Sequence, residues 1–255
     1  MAEWWRTFFD DRYRRFWGEY TSQERTDADV AGILRLLARY GIGERARVLD
    51  LACGDARIAI GLARAGHRVT GLDYSASQLD AARQRIAAAG VAVHLVEADM
   101  RRPPPELGPF DAIVNWFTSF GYFEEPGDDL RVLESIRDMI TPGGCLVLET
   151  QHRDRVASLA TGARRDWEEV DGTLLLIERF FDPVAGRGGE RLRFVAPDGS
   201  SEERVFHTRL YTATELASLL RAVGLVVEGV FGGTDGEPLR ADTRMLIVAR
   251  REGGA

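Results

Sequence analysis

The segment Val48-Leu49-Asp50-Leu51-Ala52-Cys53-Gly54-Asp55-Ala56-Arg57 decides the fold that this chain is expected to adopt. Its first residues form an apolar run typical of a buried strand, and Gly54 then supplies a tight turn ahead of an amphipathic stretch. In open α/β sheets, ligands bind at the carboxyl end of such a strand. The segment therefore predicts a strand, a ligand-binding turn and a helix, in that order.

Apolar runs of strand length alternate with amphipathic segments from about residue 44 onward. The predicted strands cover residues 47–51, 67–72, 92–97, 110–116, 145–151, 226–231 and 244–250. Helices are predicted after Ser75, from 128 to 140 and from Thr212 onward, and 141–144 is predicted as the turn into the fifth strand. The alternation indicates an α/β fold with a doubly wound, mostly parallel, seven-stranded sheet.

Two further regions depart from this alternation. Residues 3–20 and 27–40 predict helices ahead of the first strand, and the first of them is rich in aromatic residues. Between about 167 and 210 the periodicity changes to strands with hairpin turns, at 182–189 and at 197–200. We expect one domain over 1–255, which divides into an N-terminal helical lid (1–43), a cofactor-binding core (44–160), an antiparallel β insert (165–211) and a late helix with the last two strands (212–251).

Composition narrows the classes of function. The chain has 33 Lys and Arg residues against 40 Asp and Glu, and a net charge of -7 fits poorly with a surface that binds nucleic-acid phosphates. Cys53 and Cys145 are far apart within apolar runs, so neither a disulfide nor a metal site is expected. The start of the chain lacks a long apolar run, and no stretch reaches about 18 apolar residues, so we expect a cytoplasmic protein without a membrane span.

The position of Asp73 indicates the class of ligand. It ends the second predicted strand 73 − 54 = 19 residues after Gly54, where a carboxylate accepts hydrogen bonds from ribose hydroxyls. The dinucleotide pattern Gly-x-Gly-x-x-Gly fails, because its positions hold Ala52, Gly54 and Arg57. No lysine follows the turn to complete a Walker-type phosphate loop. The remaining class of ligand is a nucleoside without phosphates, and S-adenosylmethionine is the common adenosine ligand of this class.

At these residues the sequence resembles the class I, seven-stranded S-adenosylmethionine-dependent methyltransferases of the bacterial small-molecule type. The resemblance implies that Asp50 places the methionine amino group, that Asp73 binds the ribose and that Asp99-Met100 contacts the adenine. It implies a cofactor site completed by Ala52, Gly54, Tyr74, Asn115 and Trp116. Two of the usual motif glycines are replaced here, by Ala52 and Ala56, so weaker or slightly shifted binding is expected.

A closer likeness is to members with an aromatic N-terminal lid and an antiparallel insert. In such proteins an aromatic residue of the lid closes over the methionine end, and Tyr13 and Tyr20 match it here, with Arg25 as a contact to the carboxylate. The likeness implies an acceptor pocket between the lid, segment 117–123 and the insert. Its predicted acceptor-binding residues are Phe117, Phe120, Tyr122, Gln151 and His207.

Methyl transfer is an in-line displacement, which needs alignment and the exclusion of water more than a strong base. For an acceptor that must lose a proton, His152 is the predicted catalytic base, because it follows the fifth strand and histidine is a common general base in enzymes. A surface loop histidine is the alternative interpretation, and His207 is the second choice of base. Glu149 either orients an acceptor amine or pairs with Arg153.

We expect a cytoplasmic enzyme that transfers a methyl group from S-adenosylmethionine to a nitrogen or oxygen atom of a small-molecule acceptor, in a dry aromatic pocket. The product would be S-adenosylhomocysteine. Two alternatives stay open, namely methylation of RNA or protein, and a cofactor-binding scaffold without transfer activity. Segment 115–118 lacks the Asn/Asp-Pro-Pro-aromatic signature of enzymes that methylate planar exocyclic amines, which weakens the first alternative. A homodimer stays open, and no nucleic-acid or membrane partner is expected.

Overall fold

The computed structural model describes residues 3–18, 21–159 and 164–252. In chain order the helices are α1 (Trp5–Phe8), α2 (Asp11–Trp17), α3 (Gln23–Arg39), α4 (Arg57–Arg64), α5 (Ala76–Ala89), α6 (Pro126–Met139), α7 (Arg153–Leu159) and α8 (Ala213–Ala222). The strands are β1 (Arg47–Leu51), β2 (Arg68–Asp73), β3 (Val93–Glu97), β4 (Phe110–Asn115), β5 (Ile140–Thr150), β6 (Arg164–Val170), β7 (Thr173–Asp182), β8 (Arg187–Val195), β9 (Ser201–Arg209), β10 (Leu225–Phe231) and β11 (Met245–Arg251).

Seven of the strands form the main sheet, in the order β10-β11-β5-β4-β1-β2-β3. The five strands from β5 to β3 pair in parallel, whereas β11 runs antiparallel to both of its neighbours. The prediction of a mostly parallel seven-stranded sheet is confirmed. Parallel strands end at the same edge, so the carboxyl ends of β1 to β4 lie side by side.

Successive strand residues point to opposite faces of this sheet and pack beneath different helices. Val48 belongs to the buried cluster formed with α3, α4 and α5, and Leu49 belongs to the cluster formed with α6 and α8. Both side chains have no exposed surface. Burial of each such side chain stabilises the fold by about 1.5–3 kcal/mol. With both faces covered, the edge at the carboxyl ends is the part of the sheet left for a ligand.

The predicted single helix over 3–20 is wrong. The chain turns at Phe9 between α1 and α2, and Asp10 is extended and caps α2 by accepting a hydrogen bond from the Tyr13 N–H at 3.0 Å. A capping carboxylate competes with continued helix, which explains the break. Trp5 of α1 packs against the main sheet, whereas Phe8 of α1 and Phe16 of α2 pack against the insert.

The insert is a separate four-stranded antiparallel sheet in the order β6-β7-β8-β9. It follows α7, a helix that the sequence pattern did not predict. Residues 141–144, predicted as the turn into the fifth strand, fall inside β5 as an irregular stretch, because the pairing with β4 passes from Phe110–Ile140 to Ala112–Cys145. Among the residues described, no helix is both long and apolar enough to cross a bilayer.

Candidate active site

The turn after β1 adopts an unusual backbone conformation. Ala52, Gly54 and Ala56 all have positive φ angles, of 59°, 54° and 63°. This left-handed region is free for glycine but costs other residues about 1–2 kcal/mol. The two alanines therefore keep the shape that glycine would give, and Ala56 leads directly into α4. The replacements seen in the sequence strain the turn without changing its path.

A cavity of about 370 Å³ lies at this turn, along the carboxyl ends of β1 to β4 and beneath α1 and α2. Most of the residues predicted to bind the cofactor line it, namely Tyr13, Asp50, Ala52, Gly54, Asp73, Tyr74, Asp99, Met100 and Trp116. Phe117 and Tyr122, predicted to contact the acceptor, line it as well. The first cavity thus brings together side chains from four strand ends and the lid.

Asp73 is held in place by the backbone on both sides. One carboxylate oxygen accepts the Gly54 N–H at 2.8 Å, and the other accepts the Ser75 N–H at 2.8 Å. Burial raises the pKa of Asp73 above its usual value, although these hydrogen bonds act to lower the pKa. The carboxylate is therefore oriented before any ligand arrives, with lone pairs left for ribose hydroxyls.

Asp50 lies deeper, with only 2% of its surface exposed. It accepts the Ala59 N–H from α4 at 3.0 Å. Burial raises the pKa of this carboxyl group to about 7, even though the hydrogen bond and the nearby Arg57 act to lower the pKa. A carboxyl group that titrates near neutrality is ready to ionise when an ammonium group binds beside it.

Asp99 ends at the same edge, after β3. Arg101 donates to its carboxylate from the backbone N–H at 2.9 Å and from Nη2 at 2.6 Å. Burial acts to raise the pKa of Asp99, but the bonds from Arg101 outweigh this effect and hold the pKa below its usual value. Arg101 also forms an ion pair with Glu3 at 3.0 Å, so this end of the cavity is connected to the lid.

Two of the described residues predicted for the cofactor, Asn115 and Arg25, do not line this cavity. Asn115 donates from its amide to the Leu51 carbonyl at 3.0 Å and to the Ser119 carbonyl at 3.4 Å, so it ties the ends of β1 and β4 together instead. Arg25 lines a different cavity and is half exposed. Tyr20 lies outside the described residues.

The second cavity, of about 660 Å³, lies between the lid, the insert and the end of β5. Gln151, predicted to contact the acceptor, lines it. Phe120 lines neither cavity, because it is buried beside Tyr211 with ring centroids 5.8 Å apart. Five residues line both cavities and form the wall between them, which we call the seam: Phe9, Tyr13, Trp17, Phe117 and Tyr122.

Comparison with known proteins identifies the fold and its activity. Residues 48–144 match the sequence profile of a family described as methyltransferase domain. Over these residues the chain carries a methyltransferase domain, and its cofactor is S-adenosylmethionine. The first cavity suits that cofactor, since the carboxyl groups of Asp73 and Asp50 line it from adjacent strands.

Three similar proteins illustrate the relationship of this methyltransferase to others. The cypemycin N-terminal methyltransferase of Streptomyces sp is 27% identical, over 87% of this chain and 90% of its own. The structure of an S-adenosylmethionine-dependent methyltransferase from Clostridium acetobutylicum has a TM-score of 0.81 at 17% identity, covering 96% of this chain and 100% of its own. The sugar N-methyltransferase KedS8 from Streptoalloteichus has a TM-score of 0.71 at 20% identity, covering 91% of both chains.

The methyltransferase holds Phe117 in a strained backbone conformation. Phe117 and Thr118 have consecutive positive φ angles of 61° and 62°, which are uncommon for such residues. Glu149 accepts the Phe117 N–H at 2.8 Å and an Arg244 N–H at 3.0 Å. Glu149 thus pairs with Arg244, whereas the predicted partner Arg153 pairs with Glu215 at 3.0 Å. The sequence offers no signal for Arg244, which is 95 residues from Glu149.

The structure places His152, the predicted base, away from both cavities. Its Nε2 lies 3.1 Å from the Thr243 carbonyl, and its Nδ1 accepts the Arg155 N–H at 3.3 Å. Only 2% of the residue is exposed, and it lines neither cavity. Both ring nitrogens are occupied by the backbone, so His152 holds α7 against the loop before β11.

His207 also lies outside both cavities. Its Nδ1 is 3.1 Å from Arg187 Nη1, and its Nε2 is 3.2 Å from a Glu124 carboxylate oxygen. Burial lowers the pKa of His207, with Glu124 acting in the opposite direction. The histidine therefore connects the insert to the loop before α6. Within the described residues, no group of His, Cys, Asp and Glu side chains is arranged to hold a metal ion.

Proposed function

We propose that this methyltransferase transfers the methyl group of S-adenosylmethionine, bound in the first cavity, to a nitrogen or oxygen atom of a small molecule in the second. The seam carries this proposal, because five residues line both cavities and a methyl group in one therefore faces an acceptor in the other. The lid, the core and the insert would together close the site. The second cavity, about 660 Å³, has the size of a small-molecule site.

The relatives add support for a small acceptor. The cypemycin enzyme is named as an N-terminal methyltransferase, and KedS8 is named as a sugar N-methyltransferase. The second name denotes transfer to a nitrogen atom of a sugar, whereas the first denotes an N-terminus as the site of transfer. The acidic charge of this chain, -7, argues against RNA as the acceptor.

S-adenosylmethionine supplies a methyl carbon whose leaving group is a neutral thioether. Asp73 would hold the ribose and Asp50 the ammonium group, and these contacts at fixed strand ends would hold the methyl carbon still. The aromatic faces of the seam attract a sulfonium and exclude water. As the acceptor lone pair forms its bond to carbon, the carbon–sulfur bond breaks and its electrons stay on sulfur.

The seam favours nitrogen over oxygen as the acceptor atom. None of its five described residues carries a carboxylate or an imidazole. Burial raises the pKa of the Tyr13 and Tyr122 hydroxyls well above the usual value, so both stay protonated at neutral pH. A neutral amine attacks with its own lone pair and loses its proton to water afterwards, whereas an alkyl hydroxyl needs a base during attack.

The test combines cofactor binding with an acceptor screen. Titration calorimetry with S-adenosylmethionine is followed by release of S-adenosylhomocysteine from panels of amines, phenols and carboxylates, with RNA and peptides in parallel. Asp73→Ala should weaken cofactor binding by at least about tenfold, through the loss of charge-assisted hydrogen bonds. Phe180→Ala, which alters only the second cavity, should raise the acceptor KM and leave cofactor affinity unchanged.

Methylation of RNA or peptides, together with no methylation of any small acceptor, would refute this proposal and assign a macromolecular acceptor. Cofactor binding without release of S-adenosylhomocysteine from any acceptor would favour a scaffold role. A wild-type protein that binds no S-adenosylmethionine would refute the assignment of the first cavity.

A further inference from the structure

Three arginine side chains from outside the insert line the second cavity, and we call them the arginine wall: Arg25, Arg155 and Arg244. They come from α3, from α7 and from the residue before β11. Gln151 lines the same cavity, and its side-chain oxygen accepts a hydrogen bond from Arg155. Three guanidinium groups therefore face the cavity that the proposed function assigns to the methyl acceptor.

The carboxylates that contact the arginine wall do not balance its charge. Glu149 accepts a hydrogen bond from Arg244 at 3.0 Å. Asp29 lies 4.0 Å from Arg25 but only 2.8 Å from Arg57, so Arg57 takes most of its charge. With Arg57 included, four guanidinium groups are matched by two carboxylates, and two positive charges have no counter-ion among the described residues that contact them.

Arg155 is the member of the arginine wall that lacks a carboxylate partner. Within the described part of the chain its side chain donates only to neutral groups, from Nε to the Asp242 carbonyl at 3.4 Å and from Nη1 to Gln151. The Asp242 carboxylate pairs instead with Arg240 at 3.0 Å. A guanidinium carries five N–H donors in a planar fork, so Arg155 is held in place and keeps donors for an anion.

Arg244 brings the unbalanced positive charge next to the seam. Its Cζ lies 5.6 Å from the ring centroid of Phe117, and its guanidinium donates to the Thr118 hydroxyl. Burial lowers the pKa of Arg244 to about 10, and the like charge of Arg25 acts in the same direction. A buried cation that is short of counter-charge is stabilised when an anion binds beside it. Because Phe117 lines both cavities, an anion at Arg244 would lie close to the transferred methyl group.

The carboxylates on the insert side of the second cavity form a separate group of charges. Arg179 forms ion pairs with Asp166 and with Glu190, the latter at 2.9 Å. Burial raises the pKa of Glu190 even though Arg179 acts to lower it, and the negative charge of Glu168 acts in the same direction as burial. The excess negative charge of this cavity thus lies on the insert, whereas the excess positive charge lies beside the seam.

We propose that the methyl acceptor is an amine that carries an anionic group, a carboxylate or a phosphate, and that Arg155 and Arg244 bind this group beside the seam. The inference rests on the proposed function, since it takes the second cavity as the acceptor site. A guanidinium fork donates two parallel hydrogen bonds to either anion, and these charge-assisted bonds are stronger than bonds to a neutral amide or hydroxyl. Since Arg244 contacts the Phe117 ring, only a few bonds separate the anionic group from the methylated nitrogen.

The test is titration calorimetry on the complex with S-adenosylhomocysteine, with two panels of matched ligands. The first panel compares amino acids with their amides, and the second compares aminoalkyl phosphates with the corresponding amino alcohols. In one panel, wild type should bind the anionic member of a pair at least about tenfold more tightly than its neutral partner, as a charge-assisted hydrogen bond implies. The panel that shows this preference distinguishes a carboxylate from a phosphate.

Arg155→Gln should weaken binding of the preferred anionic ligand by about tenfold and change binding of its neutral partner by less than about threefold. Arg155→Lys, which keeps the charge but not the fork, should fall between wild type and Arg155→Gln. Arg153→Gln is the matched control, because Arg153 belongs to the same helix, lines neither cavity and should leave the preference unchanged.

Thermal unfolding without ligand checks that each variant is folded. The inference would be overturned if wild type bound no anionic ligand more tightly than its neutral partner, or if folded Arg155→Gln kept the full preference. Equal losses for both members of a pair in Arg155→Gln, or a lost preference in Arg153→Gln, would overturn it as well. Methylation of neutral amines with no preference for anionic ones would refute this inference and leave the proposed function standing.

Discussion

Ionisation of Asp50 makes cofactor binding depend on pH in a direction that the structure predicts. Burial raises the pKa of this carboxyl group to about 7, with Arg57 lowering the pKa and Asp73 and Asp55 raising it. The free protein thus holds Asp50 largely protonated below that pH, whereas the cofactor ammonium needs the carboxylate. Protons must leave on binding, so affinity should rise with pH.

The size of the effect follows from this pKa. If only the ionised form binds, the dissociation constant is multiplied by 1 + 10^(7 − pH), which is about 11 at pH 6 and about 1.3 at pH 7.5. Each pH unit below 7 then costs about 1.4 kcal/mol of binding energy. The same raised pKa affects the stability of the unliganded protein in the opposite direction. Its free energy of unfolding should fall as pH rises from about 4 to about 7, because Asp50 ionises in the unfolded chain before it ionises in the fold.

Calorimetric titration with S-adenosylmethionine between pH 5.5 and 7.5 measures the slope, and this range stays below the pKa of about 7.7–8.0 of an α-amino group. Asp50→Asn, which keeps an acceptor for the Ala59 N–H, should bind more weakly and lose the slope. Asp55→Asn, at the cavity edge, should keep it. A dissociation constant that stays level across this range in wild type, or a slope that survives in Asp50→Asn, would refute the reasoning.

Three further predictions concern stability and the catalytic role. Ala52→Gly should stabilise the protein by about 0.5–1 kcal/mol, because relief of about 1–2 kcal/mol of left-handed strain exceeds the added chain entropy of glycine, and a lower urea midpoint would contradict it. Glu149→Gln leaves Arg244 buried without its counter-ion and should cost about 3 kcal/mol in denaturant unfolding, more than Arg244→Lys does. His152→Asn should lower stability by about 1–2 kcal/mol yet keep kcat, and a hundredfold loss of kcat in a folded variant would restore His152 as the base.

The main sheet was predictable because its signals are local. Apolar runs of strand length, interrupted at Gly54 and Gly90, locate the strands and helices within one or two residues for most of the core. The same logic located Asp50, Asp73 and Asp99, since a polar residue at the end of a parallel strand must lie at the ligand-binding edge. The cavity that these residues line follows from the fold class.

The predictions that failed concern segments where one local sequence signal competes with another local signal or with contacts to distant parts of the chain. Asp10 offered a helix cap within an aromatic stretch whose periodicity favoured continuous helix, and the cap prevailed. The glycines at 143–144 suggested a turn, and residues 141–144 instead form an unpaired irregularity within β5, because the pairing with β4 passes from Phe110–Ile140 to Ala112–Cys145. His152 follows a strand end as a catalytic residue would, yet a carbonyl 91 residues away occupies its ring.

The sequence by itself determined the strand, turn and helix around Gly54, the parallel sheet and the adjacent carboxylates, because period, chain order and strand ends are local properties. Only the tertiary structure decided which arginines line the first cavity, which aromatic residues form the seam and which residue pairs with Glu149. Arg57, Asp29, Glu149 and Arg244 come from four separate segments, and their contacts depend on the packing of α3, α4, β5 and β11. No short-range pattern encodes the distance between side chains that lie up to 95 residues apart in the chain.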